Sequence, residues 1–378
     1  MTTLLINYIY YNPVGHVVEA LKFSRGFHDA NPGIEIHLAL NQYSPTELTA
    51  ACPWIAKTYP IDIYQFLQGG SGVACLEGIP RSWDYVMTET RIPHDIARAG
   101  RVGRDEEAMS NYYRVTESLF HASRGTGTFF PRIKYPDGLK YLVDSKVELR
   151  LPQSALDFAK ARAHDGPTIC LLLGGSGSYR AYPAIGTWIK IVHALNDKFP
   201  NLKIYLTGVR KSANGCTRTA GYTDSNIRNI LNRFGNVVDC YDIGLWNQLA
   251  LVKQSDVFLS PHTGFGFLAP CVDTPWLAIS GGNWAEYFFN HVPFYSVLPD
   301  NPDFPYFGDP KIWDAFKGSS KIPDMVPKNL DKKIPEIVEA AALLMDESFT
   351  YEEALKQHKR NVENANVNRA NIHTGPFF

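Results

Sequence analysis

Short apolar runs alternate with longer amphipathic stretches along this chain. Residues 4–10, 34–40, 61–66 and 83–88 read as strands, each a short run rich in branched and aromatic side chains. Between the first two, a loop through Asn12, Pro13, Val14, Gly15 and His16 leads into a helix over residues 17–27. A second alternation starts after Asp165-Gly166-Pro167. Its strands are residues 168–173, 203–206, 237–240, 257–259 and 275–279, and its helices residues 184–198, 225–234 and 245–254. Residues 330–345 and 351–364 close the chain as helices. Four stretches read less regularly. Residues 98–132 are charged and partly helical, with Gly125-Thr126-Gly127 as a loop, and residues 134–151 carry few signals. Residues 267–271 form a short helical segment, and 293–313 a long loop rich in proline and aromatics.

Strands alternating with helices imply parallel βαβ units. The fold class is therefore α/β, with two doubly wound, Rossmann-like domains that face each other across a cleft at the carboxyl ends of their strands. The expected domains are residues 1–165 and 166–345, with a helical tail, 346–378, packing back on the first. A chain of 378 residues exceeds one ordinary core, which supports two. No apolar run reaches the ~20 residues that span a bilayer. The opening MTTLLINYIYYNP lacks a basic flank and a cleavage site, so it reads as a strand rather than a leader. The formal net charge of -1 argues against a nucleic-acid partner. The six cysteines are scattered, as in a protein of a reducing compartment. The expected location is the cytoplasm, at most peripheral at the inner membrane face.

Chemistry concentrates at two glycine turns. Residues 256–282 run DVFLSPHTGFGFLAPCVDTPWLAISGG, in which His262, Thr263, Gly264 and Gly266 punctuate a turn directly after a buried strand. A strand, a glycine turn and a helix N-terminus together make an anion site, because the first helical N–H groups lack internal partners. His262 adds a hydrogen bond or a charge. The earlier loop Gly174-Gly175-Ser176-Gly177-Ser178-Tyr179-Arg180 also follows a strand, and Arg180 suits a bidentate phosphate contact. No Lys-Ser/Thr pair follows it, and Arg180 takes the third glycine's place in a dinucleotide fingerprint. The next strand ends in Thr207-Gly208-Val209-Arg210 with no acid for a ribose diol, which counts against NAD and ATP. The anion expected here is the diphosphate of a sugar nucleotide, held by Gly174, Gly175, Ser176, Gly177, Arg180, Thr207, Gly208, Arg210, His262, Thr263, Gly264 and Gly266. His16 suits the general base that takes an acceptor hydroxyl proton, with Glu89 and Asp95 as rival bases or orienters. Trp284 and Glu286 suit the sugar or acceptor. No acidic metal motif stands out, so no cofactor and no metal are expected.

From Gly174 to Gly281 the pattern resembles the bacterial ADP-heptose:lipopolysaccharide heptosyltransferases of the GT-B fold. In that family a glycine-rich strand end precedes a basic residue, an aromatic and a proline, here Arg180, Tyr182 and Pro183. The family's Asp-Thr-Gly turn is matched by His262-Thr263-Gly264, and its first-loop Gly-Asp-Val-Val by Gly15-His16-Val17-Val18. His16 and His262 stand where the family has aspartates, and Phe267 where it has histidine. The first-loop Gly-His and the His-x-Gly turn are similar instead to natural-product and plant glycosyltransferases, whose first-loop histidine is the base. The resemblance implies a metal-independent inverting glycosyltransferase using a nucleotide diphosphate sugar as co-substrate. The acceptor would be a glycan, a lipid-linked, protein or small-molecule hydroxyl. Two other readings remain at this stage. The same fold serves non-hydrolysing nucleotide-sugar epimerases, with Glu89, Asp95 and Glu286 shuttling protons. The chain could also be a non-catalytic glycan- or nucleotide-binding protein.

Overall fold

All the strand pairings between named strands are parallel, and the central strands are buried on both faces, which accounts for their unbroken apolar runs. The computed structural model describes residues 1–9, 13–62, 65, 73–89, 114–116, 118–129, 134–176, 179–210, 219, 221–279, 289–300, 307–309, 311 and 324–365. Two units result, dividing at Leu149/Arg150.

The first unit holds β1 (Thr2–Tyr8), α1 (Val14–Ala30), β2 (Ile34–Asn41), β3 (Ile55–Ile61), β4 (Ser82–Glu89) and β5 (His121–Phe129). Its sheet runs β3-β2-β1-β4-β5. Two strands differ from the sequence expectation. The third strand ends at Ile61 instead of beginning there. It is an edge strand in which Ala56, Lys57 and Pro60 are exposed, and an edge tolerates the missing proline N–H. The expected loop at Gly125-Thr126-Gly127 is the middle of β5. A Cβ at Gly127 would lie 2.3 Å from Met87 Sδ and 2.4 Å from the Lys134 carbonyl, so glycine here permits close backbone approach within the sheet.

The second unit begins with α2 (Gln153–Lys160) and continues through β6 (Thr168–Leu172), α3 (Ile185–Lys198), β7 (Lys203–Gly208), α4 (Asp224–Arg233), β8 (Val237–Tyr241), α5 (Leu245–Gln254), β9 (Val257–Pro261) and β10 (Trp276–Ile279). It closes with β11 (Phe294–Val297), α6 (Ile334–Leu344) and α7 (Tyr351–Asn364). The sheet order is β11-β10-β9-β6-β7-β8. The boundary expected at residue 165 lies earlier because α2 packs on α5 and so belongs to this unit. The expected tail helix also packs here. His358 of α7 sits edge-on to Phe294 at 5.4 Å, and Val362 meets Leu298. Within the stretch expected to be a long loop, residues 294–297 add a sheet strand paired to β10.

Read from β8, the second sheet repeats the winding of the first, with one strand added. In each unit the first strand lies beside the fourth, and the order reverses between them. In this winding, loops that follow two such strands leave in opposite directions as a general rule, and the crevice between them is the usual place for a ligand. The opposite ends of the same strands are locked. Asp256 accepts from Thr168 N at 2.7 Å and from its hydroxyl at 2.9 Å, and Asp84 accepts from Thr3 N at 2.9 Å.

Candidate functional site

In the second unit the reversal falls between β6 and β9, and the two glycine turns singled out in the sequence are the loops that follow these strands. They touch. A Cβ at Gly175 would lie 3.2 Å from Thr263 Cβ and 3.0 Å from the Tyr182 hydroxyl, and one at Gly174 would lie 2.8 Å from the Tyr182 ring. Only a residue without a side chain lets the strand end, Tyr182 and the second turn come this close. Among the described residues, the amides of Gly175, Ser176, Gly264 and Phe265 donate to no backbone carbonyl. The turn itself is braced, because the Gly266 amide is shared between the Thr263 carbonyl at 3.0 Å and its hydroxyl at 3.2 Å. Uncommitted amides at a switch point can bind an anion.

The rest of the expected cradle is arranged differently. Residues 266–268 and 270–272 form two short 3-10 turns instead of an α-helix, so no long macrodipole backs the site. His262 is interior. Its ring packs edge-on to Phe267 at 5.4 Å and against Trp276 at 5.5 Å, and its buried Nε2 has no hydrogen-bond partner. Burial lowers its pKa to about 3, so it is neutral near pH 7 and brings no charge. Gly266 serves this packing as well, since a Cβ there would lie 2.1 Å from the Trp276 ring. Thr207 is fully buried, with its hydroxyl bonded to the Leu171 carbonyl at 3.1 Å. The Gly208 carbonyl accepts from the Asp242 amide at 3.0 Å and from Gln248 Nε2 at 3.2 Å. Arg210 is committed to Asp239 at 2.5 Å and Asp242 at 3.1 Å, with its guanidinium over Tyr241. Arg180 pairs with Asp324 at 3.0 Å and remains partly exposed beside the loop. Gly177, Asp95, Trp284 and Glu286 lie outside the described residues.

In the first unit the reversal falls between β1 and β4. His16 is in the first turn of α1, which begins earlier than its apolar spacing suggests, so the histidine is helical rather than in the preceding loop. It is buried to 7% exposure. Glu19, one turn on, brings Oε2 to 3.8 Å from His16 Nδ1, and the Tyr8 hydroxyl donates to the same carboxylate oxygen. Sequence reasoning missed Glu19 and Tyr8. The three-residue spacing of His16 and Glu19 on a helix was the available signal. Glu89 ends β4 and is 1% exposed, so one of the rival carboxylates stands at the carboxyl edge of this sheet.

No protein-family model and no curated protein matches the sequence. Solved structures do match. A glycosyl transferase family 9 protein from Veillonella parvula superposes with a TM-score of 0.60 at 10% identity, over 92% of this chain and 98% of its own. The E. coli ADP-heptose lps heptosyltransferase II gives 0.52 at 10% identity, over 90% and 99%. The fold is GT-B. E. coli heptosyltransferase WaaC with ADP-2-deoxy-2-fluoro heptose gives 0.50 at 11% identity, over 89% and 99%. The GT-B likeness extends over nearly the whole chain, well beyond residues 174–281, where the motif resemblance lies. No helix among the described residues is long and apolar enough to cross a membrane.

Proposed function

We propose that this protein is a glycosyltransferase that moves a sugar from a nucleotide diphosphate sugar to a hydroxyl acceptor, with inversion and without a metal. The observation that carries this reading is the meeting of the β6 and β9 loops at the switch point, with the amides of Gly175, Ser176, Gly264 and Phe265 uncommitted. Its fold is shared with structures of heptosyltransferases, one of them holding an ADP-sugar analogue. In the reaction, the bond between the sugar C1 and the diphosphate oxygen breaks as the acceptor oxygen bonds C1 from the opposite face. Negative charge collects on the departing diphosphate, where preorganised amide dipoles stabilise it. Loss of one such donor costs ~2.7 to 4 kcal/mol in comparable sites. His16 takes the acceptor proton. A nearby buried carboxylate, Glu19, stabilises the imidazolium that forms. Thr263, Arg180 and Ser176 are assigned to the donor side, with a hexosyl or heptosyl group as the sugar moved.

The first test is a thermal-shift panel of ADP, UDP, GDP, CMP and dTDP. At a hundred times its Kd the cognate nucleotide stabilises by ~2.7 kcal/mol. A flat response across the panel rejects the reading. With the donor known, His16→Ala is expected to lower kcat by roughly 10² to 10⁴ while donor binding persists. Unchanged turnover removes His16 from the mechanism. Turnover in the presence of EDTA is expected to match turnover without it.

A further inference from the structure

We propose that Tyr222 is the positioning residue of the diphosphate loop, holding the amides after β6 in the conformation that receives the anion. This rests on the donor-site reading above. The segment leaves β6 at Leu173 and enters α3 after Pro183, and one half-buried hydroxyl meets both ends. Tyr222 Oη lies 2.9 Å from the Leu173 carbonyl and 2.7 Å from the Pro183 carbonyl. The Trp188 indole N–H points at the same place, 3.0 Å from Oη and 3.2 Å from the Leu173 carbonyl. A hydroxyl has one proton, so a single assignment satisfies every group. Tyr222 donates to Pro183, and the indole N–H is shared between Leu173 and Oη. The Pro183 carbonyl is then tied directly to Tyr222, and the Leu173 carbonyl is tied to it through the shared indole N–H.

The ring works with the hydroxyl. Tyr222 Cε2 would lie 3.1 Å from a Cβ at Gly174, so the ring forms the floor under the first glycine. Gly221, at φ +87, sets Tyr222 in place and packs so closely on Tyr179 that a Cβ there would lie 2.5 Å from Tyr179 Cβ. Tyr222 therefore contacts the loop at its start, its end and its floor while standing outside it in sequence. Uncommitted amides bind an anion well only if they are already aimed, because ordering them on binding would offset the interaction.

The test is Tyr222→Phe, which deletes the hydroxyl and keeps the ring. Isothermal titration compares wild type and variant, first with whichever of ADP, UDP, GDP or dTDP binds wild type most tightly, and then with the matching nucleoside. Loss of the clasp is expected to weaken the nucleoside diphosphate about tenfold, the worth of one well-placed hydrogen bond. The nucleoside, which has no phosphate to meet the amides, should change less than twofold. Equal losses for both ligands, or a fall in Tm with both affinities retained, would mean a merely structural tyrosine and overturn the proposal. Trp188→Phe loosens the same anchor from the other side and is read identically if Tyr222→Phe does not fold. Wild-type protein that binds none of the four nucleotides rejects the diphosphate reading itself. Wild-type binding with unaltered variant selectivity rejects Tyr222 alone.

Discussion

A histidine beside a glycine turn invites a phosphate, yet His262 faces inward between Phe267 and Trp276. The residue type was legible, but its direction was not. Side chains alternate across a strand and its continuation, and the motif alone does not reveal which face is lined with aromatics. The packing has a measurable consequence. Burial holds the His262 pKa at about 3 and that of His358 at about 4, both below the ordinary imidazole value of 6.5. The unfolded chain therefore binds protons that the folded chain refuses. Stability is complete above pH 6.5 and declines as pH falls from there toward the folded values, with each histidine contributing up to ~1.4 kcal/mol per pH unit. Urea melts from pH 7 to pH 4 should show this slope, and His262→Asn should reduce it by about one proton's worth. An unaltered slope would place the imidazole in contact with water. His358 is only 2% exposed and packs on Phe294 of β11, so its place on the closing helix is interior.

Elements with a strong internal period were readable to within a few residues. The helix at Leu245–Gln254 matches its expected bounds, and so does that at Tyr351–Asn364, whose start is marked by a Thr350–Glu353 capping box. Elements defined by their neighbours were not readable. The strand at His121–Phe129 looks like a glycine loop because two glycines replace branched residues, and the reason lies in Met87 and Lys134, remote in sequence. The same holds for the turn after β9, where Gly266 exists for the Trp276 ring. Gly266→Ala should cost about 1–3 kcal/mol by overpacking, read as a fall in the urea midpoint. Gly235→Ala, where the new methyl meets nothing within 4 Å, is the control and should shift the midpoint little. Equal effects at the two positions would show that the Trp276 wall yields.

The two units share one winding and one lock, a threonine at the start of the first strand paired with an aspartate at the start of the fourth, Thr3 with Asp84 and Thr168 with Asp256. The Thr3 backbone N–H, aided by Arg124, holds the Asp84 carboxyl below its ordinary value. Its folded pKa is the lower one, so its contribution is present above the ordinary carboxylate range and is lost as pH falls through the depressed value. Asp84→Asn should flatten the acid limb of the stability curve below about pH 4. A ligand's protection should in turn be local. Hydrogen exchange with the cognate nucleoside diphosphate is expected to slow amides at residues 174–176 and 263–265 and to leave β2 and β3 unchanged. Protection confined to the first unit would reject the donor site as drawn.

By itself, the sequence determined that parallel strands and helices alternate in two sets and that glycine turns follow the first and fourth strands of the second set. Local period and turn chemistry encode both facts. Tertiary structure alone decided that those turns touch, that Thr207, Arg210 and His262 are committed elsewhere, and that Glu19 and Tyr8 stand with His16. Each of these depends on which residues distant in the chain share a strand edge or a core face, and strand order, rather than local pattern, sets that.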